Sequence, residues 1–237
     1  LSGYTVIDPE SVLITHLSET LQKYAHELLT REDVQQLVDR LRQSQPSLVG
    51  EVVGEMVSVG LLQKVLQNLL KEGISVRDLT LILEALGQNS HKTKSSVLLT
   101  EVARKALVRT ITEQHKDMAG AITALTFDPA IEHSLISSLH QQPDSITFSL
   151  PPDAAMELSN NIARAWKSAM ERAYESIVLL CDARIRPAVY GITSKILHRL
   201  PVIAYDEIVP GTNIEPVEMT KMSHTEFLLY EKLTEIT

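Results

Sequence analysis

The sequence predicts a mixed α/β chain, with a helical subdomain followed by an α/β subdomain built on a small, largely parallel four-stranded sheet. Three observations carry this. Up to about Gln114 the apolar repeats all have helical spacing. From Gly120 onward, strand-like stretches alternate with helical ones four times, which requires crossover connections and parallel strands. One of those stretches, Ile177 to Cys181 (IVLLC), is an unbroken apolar run, as expected of a strand buried on both faces.

In chain order, Gly3 to Asp8 (GYTVID) reads as a short strand feeding a helix, with Asp8 as N-cap and Pro9 in the first turn. That helix carries Ile14, Leu17, Leu21, Ala25 and Leu28 on one face. Thr30 caps the next, with Asp33 as its capping-box partner and Val34, Leu37, Val38 and Leu41 as its stripe. Pro46 starts a short helix using Leu48, Val49, Val52 and Val53. Two well-punctuated helices follow. The first carries Leu62, Val65, Leu66, Leu69 and Leu70 and stops at Gly73. The second opens at Ser75, boxed with Asp78, carries Leu79, Ile82, Leu83 and Leu86, and ends at Gly87. The tight KEGIS turn between them predicts a helical hairpin. After a polar loop (QNSHKTK), one long helix from about Ser95 to Gln114 carries Leu98, Val102, Leu107 and Ile111.

The rhythm then changes. AITALTF reads as a strand, and Asp128-Pro129 opens a helix with Ile131, Leu135 and Leu139. SITFSL is the second strand, ended by Pro151-Pro152. Asp153 caps a long helix bearing Met156, Ala163, Trp166 and Met170. After IVLLC, a helix through Val189, Ile192 and Ile196 is stopped by Pro201, and VIAY is the last strand of the set. Pro210-Gly211 begins the exit. The tail from Ser223 to Ile236 has its own capping box (Ser223, Glu226) and apolar Phe227, Leu228, Tyr230 and Leu233, and it needs a surface to dock on.

Composition narrows the function. A hydrophobic content of 44% makes the chain globular, while aromatics at 4% leave the core to Leu, Ile, Val and Ala. A net charge of −8 argues against nucleic acid, whose binders present a basic face. Cys181 is the sole cysteine, which rules out an intrachain disulfide and a thiolate cluster and fits the cytoplasm. No apolar run approaches the ~20 residues that span a bilayer, and no signal peptide is present. The chain begins at Leu1 without an initiator Met, so it reads as a fragment whose anchor lies elsewhere.

Catalytic chemistry finds little support. His16 and His26 fall on different faces of one helix, and His133 and His140 have no carboxylate at ligand spacing. The glycines are scattered singly, so no phosphate loop or dinucleotide fingerprint forms. Asp182 and the Asp206-Glu207 pair follow the third and fourth strands, where α/β sites usually form, although cap and turn roles explain them as well. No nucleophile elbow supports Cys181. Arg164, Lys167, Arg172, Arg184 and Arg186 give local positive charge, ordinarily a solvated helix surface. Metals and cofactors are therefore not expected.

The residue strings say more than their periodicity. KVLQNLLKEGISVRDLTLILEAL (Lys64 to Leu86) closely resembles the cytoplasmic part of the FlhA family, the export-gate proteins of bacterial type III secretion, flagellar and injectisome. THLSE (Thr15 to Glu19), HELLTREDVQQLVD (His26 to Asp39) and LLTEVARKALVRTI (Leu98 to Ile111) resemble the same family. So do IVLLCDARIRPAV and LPVIAYDEI of its final domain. The membrane half, most of the first cytoplasmic subdomain and all of the second have no counterpart here, and GEM replaces the family's usual Pro near Gly54. VLQNLL leans to the flagellar branch and NIEP to the injectisome.

The resemblance implies four regions. Residues 1–29 complete an otherwise absent first subdomain, 30–117 form an all-helical subdomain, 118–216 an α/β subdomain, and 217–237 a tail with a short helix. It also implies a non-enzymatic platform at the cytoplasmic face of the bacterial inner membrane, in a ring that is nonameric in the family. The implied partners are export chaperone–substrate complexes and other export-apparatus proteins, including the ATPase complex. Membrane contact would come only through the missing N-terminal half. Thr15 matches a family Thr that helps line a hydrophobic dimple for export chaperones, whose other wall belongs to the missing second subdomain. Bland helix surface is the competing reading of Thr15. An α/β enzyme using the acids after the strands, or a plain helical adaptor, remains the alternative to the export gate.

Overall fold

The computed structural model describes residues 8–142, 144–172, 174 and 176–221. The expected strand before Asp8 and the expected tail helix after Ser223 lie outside these residues. The chain forms two compact units, residues 1–103 and 104–237.

The first unit is helical. α1 (Pro9–Leu28) is capped by Asp8, whose carboxylate accepts the Glu10 and Ser11 amides at 2.9 and 3.0 Å. α2 (Arg31–Ser44) starts in the expected box: the Thr30 hydroxyl accepts the Asp33 amide at 3.1 Å, and the Asp33 carboxylate accepts the Thr30 amide at 2.9 Å. α3 (Pro46–Val52) buries Val49 and Val52. α4 (Val59–Lys71) buries Leu62, Val65, Leu66 and Leu69.

Gly73 ends α4 at φ +72°, a left-handed conformation that only glycine adopts cheaply. The Gly73 amide bonds to the Leu70 carbonyl at 3.0 Å and the Ile74 amide to the Leu69 carbonyl at 2.8 Å, which is a Schellman closure. Its apolar contact is the buried pair Leu69 and Ile74. That closure corrects the expected start of the next helix. With Ile74 buried, residues 74–78 lie outside any helix, so α5 (Leu79–Asn89) begins at Leu79, after Asp78 and without a side-chain cap. Ser75 makes only a 3.5 Å contact with the Arg77 amide. Nor do the two helices lean mainly on each other: α4 packs chiefly on α1 and α2, and α5 on α3.

α5 also runs through Gly87 instead of ending there. A Cβ at Gly87 would lie 2.8 Å from Cγ2 of Val52, so glycine is required by the close approach of α3, not by a helix stop. Ala normally stabilises a helix over Gly by ~1 kcal/mol. Gly87→Ala is nonetheless expected to destabilise this chain by about 1–3 kcal/mol through overpacking. Urea unfolding measures the sign directly, and a stabilised variant would refute the close-packing explanation.

The predicted long helix is two helices. α6 (Ser96–Ala106) and α7 (Val108–His115) meet at Leu107, which has φ −88° and ψ 18° and bonds its amide to Arg104, one residue short of helical spacing. Within the second unit, α7 then packs against the 3₁₀ turn Tyr205–Glu207, where the Thr112 hydroxyl accepts the Val209 amide at 2.9 Å. The apolar periodicity survives the break, so the sequence shows one helix.

β1 (Ala121–Phe127), β4 (Ile177–Cys181) and β5 (Val202–Ala204) form where expected, and α8 (Pro129–Ser137) opens where expected but stops before Leu139, which belongs to the following strand. The sheet is four-stranded and parallel, in the order β5-β4-β1-β6. Its fourth member is β6 (Asn213–Thr220), which was expected to be exit and tail. SITF is instead β3 (Ser145–Phe148), paired antiparallel with β2 (Leu139–Gln142) in a separate hairpin. Both hairpin strands are mostly half-buried or exposed, unlike the core run of β4. β6 escapes a sequence reading because Pro216 sits inside it. An edge position and a register shift opposite Ala124/Leu125 accommodate a residue with no amide to donate.

α9 (Pro152–Glu171) follows Pro151, with Asp153 in its first turn and not at the cap. Its buried face is Ala154, Leu158, Asn161, Ile162, Ala165 and Ala169, whereas Met156 and Met170 are exposed. α10 (Arg186–Thr193) ends before Ile196, which is 51% exposed. Leu125, Leu135, Leu158, Ile162, Leu179 and Val189 form the centre of the sheet core.

Candidate functional site

The most conspicuous bare surface is α1. Val12, Leu13, Ile14, Leu17, Leu21 and Leu28 are all more than half exposed, Leu13 at 68%. α1 packs against α4, and past its C-terminal end the Leu29 carbonyl accepts Gln63 and Gln67 side-chain amides from α4, both at 3.0 Å. An apolar stripe of this length on one helix is a face that gains free energy when covered. Ile14, Leu17, Leu21 and Leu28 share one face of the helix, while Thr15, about 100° of turn from Ile14, is exposed beside that face.

The acids after the strands are engaged elsewhere. Glu207 is 2% exposed and receives a bidentate guanidinium from Arg104, at 2.6 Å to Oε1 and 2.7 Å to Oε2. Its Oε2 also accepts the Ala204 amide at 2.9 Å. Burial alone pushes this carboxyl's pKa up, but the hydrogen bonds and charge of Arg104, helped by Arg186, hold it below the usual range. Arg104 is 1% exposed and also donates to the Val202 carbonyl at 3.2 Å. Asp182 is clasped by Arg184, whose Nε and Nη2 both stand at 2.8 Å, and this lowers its pKa. Asp206 pairs with Lys105 at 3.0 Å on the surface, where such a bridge contributes little. These groups clamp backbone and caps.

Two acid–base groups near them were not singled out from sequence. Glu132 accepts the Asp182 amide at 2.7 Å, and its half-burial, with Asp182 nearby, raises its pKa. His115 is 7% exposed; burial, then the Arg104 charge, lowers its pKa to about 4, against a weaker pull from Glu207. Cys181 is fully buried in β4, and burial pushes its thiol pKa well up, which makes it an inert core residue. His16, His133 and His140 are exposed. Among the described residues, no group of three or more His, Cys, Asp or Glu is placed to hold a metal ion. Among them, too, no helix is long and apolar enough to cross a membrane. Of the five basic residues noted in the sequence, Arg186 is buried and Arg184 is taken up by Asp182.

Known proteins complete the picture. The FHIPEP family model matches residues 1–213. The flagellar biosynthesis protein FlhA of Bacillus subtilis is 35% identical over 215 residues, 91% of this chain and 32% of that protein. The chain thus spans about a third of the curated relatives it matches. The CdsV protein of Chlamydia pneumoniae has the same fold, with a TM-score of 0.82, 27% identity, and 91% of this chain and 61% of that one covered. CdsV has also been solved as a complex with CdsO. The nonameric EPEC SctV-C shares the fold alone, at 21% identity and a TM-score of 0.76 over 88% of this chain and 62% of that one. With its family model matched over nine-tenths of its length, the chain belongs to the FHIPEP family of FlhA-type export-gate proteins.

Proposed function

We propose that the chain is a non-enzymatic docking platform of a type III secretion export gate. It acts at the cytoplasmic face of the inner membrane and receives chaperone–substrate complexes. The observation that supports this best is the exposed apolar face of α1 beside Thr15, in a chain of this family. Export chaperones would cover Ile14, Leu17 and Leu21, with the Thr15 methyl in the contact. The acids at the strand ends favour the platform over an enzyme, because Arg104, Arg184 and Lys105 occupy them. The platform works as a ring, for which one face of a subunit meets a different face of the next. The helical unit supplies one such face, and the nonameric EPEC relative supports the ring reading. Export-apparatus partners bind the assembled ring, a reading favoured by the CdsV–CdsO complex.

Thr15 decides the docking claim. In the full cytoplasmic region, Thr15→Asp or Thr15→Met is expected to leave the circular dichroism spectrum unchanged. Chaperone affinity should fall by about 2 kcal/mol, roughly 30-fold in Kd, the size of a hot-spot loss. Titration calorimetry reads the change. A substituted region that binds chaperone as tightly as the parent would make Thr15 plain helix surface.

A further inference from the structure

An open groove of about 270 Å3 lies between α9 and the end of β6, lined by Asn161, Arg164, Ser168, Glu218, Thr220 and Lys221 among others. Glu218 and Thr220 are two residues apart on the strand, so their side chains share a face. That face is the one covered by α9, because the Glu218 carboxylate accepts the Ser168 hydroxyl at 3.2 Å and a guanidinium N–H of Arg172. Thr220 is 1% exposed, yet its hydroxyl has no hydrogen-bond partner among the described residues. A buried hydroxyl left unpaired is unfavourable, so this one stands ready for an acceptor arriving through the groove.

Charge says which acceptor. Arg172 matches the Glu218 carboxylate, while Arg164 donates only to the neutral Asn161 side chain, and Lys221 stands exposed at the strand end. The groove therefore holds a local positive charge on a chain of net charge −8. Shape says how the acceptor is presented. Among the described residues β6 is the outermost strand on its side of the sheet, so one backbone edge has no strand neighbour there. Pro216 blocks pairing in the middle of that edge and leaves residues 217–220 for an incoming extended segment. A polyphosphate fits less well, since it needs a helix N-terminus or a nest of amides, and the groove is walled by mid-helix and strand.

We propose that this groove docks an extended acidic segment of a partner protein. A Glu or Asp carboxylate sits between Arg164 and Lys221 and accepts the Thr220 hydroxyl. The proposal adds a second docking surface to the platform reading and does not depend on Thr15.

The test uses the 237-residue chain and a fluorescein-labelled peptide of about ten residues alternating Val and Glu, long enough to run along the strand end. Anisotropy should show binding, weakened about 10-fold or more when Gln replaces each Glu. Arg164→Gln with Lys221→Gln should weaken it by about 30-fold, and Thr220→Val by about 5-fold. Thr220→Ser should keep the affinity. Thr220→Val should leave the thermal midpoint unchanged or raise it, because the hydroxyl has no internal bond to lose. Equal binding of the Glu and Gln peptides, or a lowered midpoint for Thr220→Val, would overturn the proposal. So would inorganic phosphate or ATP binding there more tightly than the peptide. A null result for Thr15 would remove only the α1 docking site, while the anisotropy arms would still decide the groove.

Discussion

Glu207→Ala is expected to destabilise the α/β unit by about 3–5 kcal/mol, the cost of leaving a buried guanidinium without its counter-charge. Arg104 and Glu207 are 1% and 2% exposed and share two short hydrogen bonds, so water cannot take over for a missing partner. A small domain has roughly 5–15 kcal/mol in total, so the loss is a large share of stability. Urea unfolding of parent and variant at neutral pH measures it. Replacing both partners with apolar residues, as in Arg104→Met with Glu207→Leu, should recover much of the loss, because the penalty comes from the uncompensated charge. A Glu207→Ala cost below about 1 kcal/mol would show that the pair is solvated and not a clamp. The depressed Glu207 pKa sets the direction with pH: its contribution is complete above the unfolded value of 4.5 and is lost as pH falls through the lower folded value.

His115 should make the same unit acid-sensitive in a different window. Its folded pKa of about 4 lies below the ordinary histidine value of 6.5, so the unfolded chain takes up a proton that the folded one refuses. Stability from this group is complete above pH 6.5, declines as pH falls towards 4, and changes no further below that. The full difference is about 3 kcal/mol, at ~1.4 kcal/mol per pKa unit. The physical cause is burial, reinforced by the Arg104 charge and opposed by Glu207. His115→Phe should flatten the stability profile between pH 6.5 and 4 relative to the parent, whatever it does to stability at pH 7. Parallel profiles for the two proteins would mean that His115 is accessible to protons in the folded state.

The sequence reveals elements whose own residues specify them. Asp8-Pro9, the Thr30/Asp33 box and the IVLLC run each carry their signal locally, and each forms as expected. What stayed hidden was decided by a neighbour. Gly87 looks like a helix stop until Val52 is seen against it. Ser75 looks like a cap until Ile74 is buried by the Schellman turn. β6 reads as exit because Pro216 breaks its pattern, and only its pairing with β1 makes it a strand.

The candidate sites divide in the same way. The α1 stripe was legible as periodicity, but its exposure was not, because that depends on which faces its neighbours cover. Arg104 was missed because an arginine amid EVARKAL looks solvated. Its phase was the available signal, since it shares a helical face with the buried Thr100, Ala103 and Leu107. Nothing in the sequence pointed to Thr220, whose burial and unpaired hydroxyl are products of the fold.

The order of strands in the sheet bears on how the chain is made. β1 is an almost wholly buried strand next to the centre of the sheet, yet one of its two neighbours, β6, is translated about 85 residues later. At bacterial synthesis rates that gap lasts on the order of ten seconds. Through that interval the apolar AITALTF segment has at least one ladder of amides and carbonyls without a partner, and both until β4 emerges, the kind of edge that recruits other nascent chains. Ribosome-associated holdases therefore have a defined window in which to act on this protein, from the emergence of Phe127 to that of Thr220.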